Sequence, residues 1–72
     1  MNAPLRLTRA SNALARGDLG AAIEECRQAL AIDPANPDAL HLLGLALRQR
    51  GDLESAADHL RRSIELAPRR GD

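Results

Sequence analysis

Any catalysis in this chain would have to draw on His41, His59, Cys26 and the adjacent carboxylates Glu24 and Glu25. Imidazoles and thiols are the usual general bases and nucleophiles, and their spacing decides whether they can act together. Here the spacing speaks against it. The two histidines and the cysteine fall on three different segments. No HExxH, CxxC, GxSxG or phosphate-cradling glycine loop accompanies them. Adjacent glutamates on one helix are a common feature of solvated surfaces rather than a paired acid and base. Cys26 lies on the inward stripe of its segment and reads as a small core hydrophobe. His59, among Asp58, Arg61 and Arg62, reads as part of a solvated face. The expectation is no enzyme, no cofactor and no metal.

The elements that carry these residues follow from composition and punctuation. Seventy-two residues, 44% hydrophobic, 28% charged and without aromatics, suit one small domain over 1–72 built from Leu, Ala and Ile. Four helices are predicted, near 5–16, 19–32, 37–50 and 53–67. Residues 1–4 are expected to be loose, with Pro4 tolerated in a first helical turn. Gly17 ends the first helix, and Asp18 caps the second through a backbone N–H near Gly20 or Ala21. Gly20 in that first turn costs about 1 kcal/mol against alanine. Asp33-Pro34 stops the second helix, and Asn36-Pro37 starts the third as N-cap and first helical residue. Gly51 breaks the third, Asp52 is expected to cap the fourth, and Pro68 closes it. The tail from Arg69 to Asp72 reads as polar and frayed.

Ten arginines, no lysine and ten acidic residues leave no net charge, so nothing draws the chain electrostatically to nucleic acid or anionic lipid. The exclusive use of arginine points to codon bias. A helix–turn–helix DNA reader is disfavoured, because Glu24, Glu25 and Asp58 are mixed among the arginines. The pairs Arg61-Arg62 and Arg69-Arg70 read as solvated. A single cysteine excludes an internal disulfide. No run of eighteen apolar residues marks a membrane span, and MNAPLRLTRA lacks the apolar stretch of a signal peptide, so a cytoplasmic location is expected.

Sliding the chain along itself until Arg16-Gly17-Asp18-Leu19 falls on Arg50-Gly51-Asp52-Leu53 exposes an internal repeat. The same shift aligns Ala22 with Ala56, Arg27 with Arg61, and Pro34 with Pro68. The second unit carries Leu40-x2-Leu43-Gly44-x2-Leu47, then Ala56-x3-Leu60 and Pro68. That frame resembles the tetratricopeptide repeat (TPR), a helical hairpin of about 34 residues, with leucines where the family usually has aromatics. The resemblance implies an all-α fold of tandem antiparallel hairpins, a four-helix α-solenoid fragment. Repeat one would run about 3–36 and repeat two about 37–70. Gly44 would face Ala56, and Leu40, Leu43, Leu47 and Leu60 would fill the hairpin. The first helix departs from the pattern, with Arg6 and Arg9 in place of Leu40 and Leu43. Its apolar stripe, Leu7, Ala10 and Leu14, is rotated slightly from the expected one. A rotated or frayed helix, or a polar outer face as terminal repeats need, would each account for that.

By the same resemblance, the first helix of each hairpin lines a concave groove for an extended peptide or partner protein. Asp38, His41, Leu45 and Arg48 share that face, joined by Leu7, Ser11 and Leu14; a merely solvated face is the plainer reading. Histidine ordinarily changes charge between about pH 5 and 8, so a ligand beside His41 is expected to bind with pH-dependent affinity. The family's carboxylate clamp is not matched, since Leu7, Ser11 and Leu42 occupy its places. The groove asparagines of its glycosyltransferases are replaced by Thr8 and Leu42. The expected function is an interaction or scaffold module. The alternatives are the N-terminal segment of a longer enzyme, such as a bacterial transferase, and a homo-oligomer formed by end-on stacking or domain exchange.

Overall fold

The computed structural model describes residues 3–66, with side chains from Leu5 onward. Four helices follow one another: α1 (Ala3–Ala15), α2 (Leu19–Ile32), α3 (Pro37–Arg50) and α4 (Leu53–Leu66). The starts of α2, α3 and α4 coincide with those read from the sequence. Helix α1 begins at Ala3, earlier than expected, because a proline in the first turn gives up an N–H that has no helical partner there anyway. The expectations for Pro68 and for the tail from Arg69 to Asp72 lie outside the described residues.

The turn between α1 and α2 and the turn between α3 and α4 are built identically. Gly17 and Gly51 both take the left-handed conformation, with φ of 79° and 100°, which a residue without Cβ adopts at no steric cost. The next N–H in each turn, on Asp18 and Asp52, donates back to Ala13 and Leu47 at 2.8 and 2.9 Å. This 6→1 bond is the Schellman closure of a helix C-terminus. Ala22 and Ala56 N–H groups then donate to the Asp18 and Asp52 carbonyls at 3.0 and 2.9 Å, opening the following helices. Every one of these pairs keeps the spacing of Gly17 to Gly51. The two aspartate side chains differ. Asp18 caps α2, accepting from Ala21 N–H at 3.2 Å, whereas the Asp52 carboxylate, expected to cap α4, accepts instead from Arg50 at 2.6 and 2.9 Å. A guanidinium two residues away offers a charged two-point partner that a single amide does not match.

Helix α3 is the hub. It packs against α1, α2 and α4, and α2 also packs against α1; among the described residues α4 touches α3 alone. Accordingly α3 buries Ala39, Leu40, Leu43, Gly44, Ala46 and Leu47. Asn36 caps its start, accepting from the N–H groups of Asp38 and Ala39 at 2.9 and 3.2 Å. At the far end of the hairpin, the buried Ser63 hydroxyl donates to the Pro37 carbonyl at 2.9 Å, tying the second half of α4 to the first turn of α3.

Helices α3 and α4 approach most closely at Gly44. A Cβ placed there would lie 2.6 Å from Leu60 Cγ, 2.8 Å from Leu60 Cδ2 and 3.2 Å from the Ala56 carbonyl oxygen. The first hairpin solves the same crossing differently. Ala10 replaces Gly44 and Cys26 replaces Leu60, and both are fully buried. One hairpin therefore sets a small residue against a large one, and the other sets two intermediate residues together. The first crossing is filled by one side-chain heavy atom fewer than the second, three against four.

Helix α1 keeps the register of the repeat rather than rotating out of it. Ala10 and Ala13, the counterparts of Gly44 and Leu47, are both buried. Leu7 is half-buried, and Leu14 packs on the edge of the core. Arg6, at the place of Leu40, is half-buried too and donates through Nη1 to Glu25 of α2 at 3.3 Å. An ion pair thus occupies the place where the second hairpin has apolar contact.

Alanine is expected to act with opposite signs at two glycines. At exposed Gly20, where a Cβ would meet nothing within 4 Å, Gly20→Ala should stabilise by roughly 0.5–1 kcal/mol. At Gly44 the overpacking should outweigh the propensity gain, for a net loss of about 1–2 kcal/mol. Adding Leu60→Cys to Gly44→Ala imports the pairing of the first hairpin, so the two changes should couple favourably by about 1 kcal/mol. Urea melts of the four variants check this, and strict additivity would contradict the assigned crossing.

Candidate binding cleft

The first helices of the two hairpins, α1 and α3, lie side by side, and an open cleft of about 350 Å³ runs between them. Its lining is Leu7, Thr8, Ser11 and Asn12 from α1 and Asp38, His41 and Leu42 from α3. The i, i+4 pairs Leu7/Ser11, Thr8/Asn12 and Asp38/Leu42 bring these residues onto facing stripes, since residues four apart are neighbours on a helix surface.

Four of the residues singled out from the sequence meet here: Leu7, Ser11, Asp38 and His41. The other three do not line the cleft. Leu14 packs against the core, Leu45 is half-buried further along α3, and Arg48 is exposed. Arg48 lies ten residues beyond Asp38, about 15 Å along the axis at the rise of an α-helix. Thr8, Asn12 and Leu42 line the cleft without having been singled out for it. The signal for Thr8 and Leu42 was the family resemblance, which puts them at groove positions, and Asn12 lies four residues from Thr8. It pointed to a stripe one residue round from the chosen one.

The cleft combines two hydroxyls, an amide, a carboxylate and an imidazole between two leucines. Its lining, among the described residues, has no guanidinium. Of the two arginines that flank this lining on α1, Arg6 is turned to Glu25 on α2 and Arg9 is exposed; Arg50 and Arg61 pair with Asp52 and Asp58. Such an arrangement can hold an extended segment by hydrogen bonds and apolar contact.

The remaining chemistry-bearing groups sit elsewhere. Cys26 is fully buried, and desolvation, with the neighbouring Glu25 charge adding to it, pushes its thiol up to about 11. The protonated thiol is a packing group rather than a nucleophile. His59 on α4 is half-buried, and its Nδ1–H donates to the Ser55 carbonyl at 2.7 Å. Among the described residues no three His, Cys, Asp or Glu side chains cluster closely enough to hold a metal ion, and no helix is long and apolar enough to cross a membrane.

Residues 13–71 match the sequence profile of a known family, described as Tetratricopeptide repeat. The match begins within α1, after Arg6 and Arg9, the residues that depart most from the second unit. No curated protein matches the chain as a relative.

Cys26 makes an alkaline transition legible. The chain has neither lysine nor tyrosine, so no other side chain ordinarily titrates near pH 10. The folded thiol holds its proton to about pH 11 against an ordinary value of 9.0, so the folded state binds more protons between those limits. Stability should be level below about pH 9 and fall between 9 and 11, by about 2–3 kcal/mol in total. Thermal melts across that range check this: the decline should disappear in Cys26→Ala, measured against that variant's own value at pH 8.

Proposed function

Because this chain belongs to the tetratricopeptide repeat family, we propose that it is a non-catalytic interaction module that receives an extended peptide in the α1–α3 cleft. The family's repeats serve in general as protein-interaction surfaces. The observation that supports the finer reading is the composition of the cleft. It is apolar at Leu7 and Leu42, polar at Thr8, Ser11, Asn12, Asp38 and His41, and open to solvent along its length. Backbone amides and carbonyls of an extended chain can bond to the polar side chains while an alternate residue rests on the leucines. The footprint of two short helices falls below the roughly 1,200 Å² of stable complexes, so affinity is expected to be weak.

A second mode of association has its own support in α4. Its stripe Leu53, Ala57, Leu60 and Ile64 corresponds, one repeat on, to Leu19, Ile23, Cys26 and Leu30 of α2. On α2, which packs against α1 and α3, that stripe is buried or half-buried. On α4 Leu53 and Ile64 are 64% and 66% exposed. Contact with a second copy through this stripe would remove it from water.

Both readings are open to test. A hit from a peptide-array screen, titrated by calorimetry, should lose about tenfold or more in affinity with Leu42→Asp, which places a charge on an apolar wall. Arg48→Ala, outside the cleft, should bind as the parent does. Undiminished binding by a folded Leu42→Asp would exclude the cleft. Sedimentation equilibrium should show a mass that rises with concentration in the parent and stays monomeric in Leu53→Glu/Ile64→Glu. A parent that remains monomeric at millimolar concentration would remove the second mode.

A further inference from the structure

Resting on the reading that the apolar stripe of α4 meets a second copy of the chain, we propose that the two copies pair α4 against α4, antiparallel, about a two-fold axis. The assembly closes at a dimer. Leu53 of each copy lies beside Ile64 of the other, and Glu54 of each beside Arg61 of the other.

The repeat itself argues against a head-to-tail contact. Within the chain α2 is followed by α3, whose Leu43 and Ala46 share one buried cluster with Ala22, Ile23 and Cys26 of α2. Continuing that packing from one copy to the next would lay α1 of a second copy on α4. On α1 the places of Leu43 and Ala46 are held by Arg9 and Asn12, both exposed. Contact there would press a guanidinium and an amide onto apolar side chains and strip them of water.

The stripe of α4 is suited to itself. Leu53, Ala57 and Ile64 are exposed and Leu60 is half-buried, and among the described residues α4 touches α3 alone. At the helical period these four positions fall within a stripe about 60° wide. Leu53 and Ile64 stand at its ends, about 16 Å apart along the axis. An antiparallel pair centred between Ala57 and Leu60 therefore sets each over its opposite number.

Charge selects this direction. The buried Ala56 and Ser63 mark the side of the stripe that faces α3. On the other side Glu54 and Arg61 come first, with Glu65 and Asp58 further round; Arg62 and His59 lie at the back of the helix. An antiparallel two-fold lays this flank along the same flank of the second copy, so the Glu54 end of one meets the Arg61 end of the other. A parallel pair would turn the flank away from itself and leave the unlike charges apart. Helix α3 does not oppose the orientation. It carries Asp38 in its first turn and Arg48 and Arg50 in its last, with His41 exposed between them, so an antiparallel copy again sets unlike ends together. Arg61 already pairs with Asp58 of its own helix at 3.5 Å, both side chains being exposed. That pair can stay, since a guanidinium has five N–H donors and can hold two carboxylates. Burial of the stripe supplies the attraction, and the charges fix direction and register.

The test is sedimentation equilibrium of the full chain at neutral pH and low salt, with helicity checked by circular dichroism. The parent should fit a monomer–dimer equilibrium with no larger species. Glu54→Arg and Arg61→Glu should each weaken the dimer roughly tenfold by opposing like charges, and the double variant should return to within about threefold of the parent. A second readout serves where a charge variant fails to fold. Leu53→Cys and Ile64→Cys chains, mixed and oxidised, should cross-link to each other in preference to themselves. Species larger than the dimer, charge effects that merely add, or like-with-like cross-links overturn the two-fold pairing and leave the stripe as the association surface. A parent that stays monomeric at millimolar concentration removes that reading and the proposal with it.

Discussion

The contact at Gly44 governs how near α4 can come to α3, and through that distance most of the second hairpin. With Leu60 Cγ 2.6 Å from where a Cβ would stand, the two backbones approach as closely as a glycine allows. That approach brings Ser63 within 2.9 Å of the Pro37 carbonyl and puts Ala56 in the core. The first hairpin reaches a comparable crossing through Ala10 and Cys26. There both residues are fully buried, with a cysteine standing in the place of a leucine.

Tight hairpins leave their groups of chemical interest in two quite different settings. Cys26 is sealed into the crossing, where burial keeps its proton in place. The polar groups of α1 and α3 face outward instead, because each helix turns its apolar side to its neighbours. The cleft is the seam where those two outward faces meet. Its character follows in part from a local choice: Asn36 occupies the amides of the first turn of α3.

The ends of the molecule are unlike each other for the same reason. Helix α3 is wrapped on three sides, whereas α4, among the described residues, has one neighbour, so a stripe that is covered on α2 is exposed at Leu53 and Ile64 of α4. At the other end, Arg6 stands at the place of Leu40 and pairs through Nη1 with Glu25. The last helix is amphipathic, and Leu53 and Ile64 of its apolar stripe are exposed.

Much of this was legible in the amino-acid order. The internal repeat, the two Gly-Asp turns and the Asn36-Pro37 start are local signals, and local sterics and capping act the same way wherever such residues occur. The inward stripe of α3 and the burial of Cys26 followed from helical periodicity, which turns spacing directly into a face. Other features needed the assembled structure. Asp52 chose Arg50 over the amides of α4, since competition among hydrogen-bond partners depends on where each side chain ends up. Arg6 found an ion-pair partner in Glu25, a residue on the next helix. The cleft drew in Thr8, Asn12 and Leu42 and left out Leu45 and Arg48, because its lining depends on how α1 and α3 are turned toward each other. Periodicity defines the stripes of a single helix, but the rotation and stagger between two helices are set by the side chains packed between them.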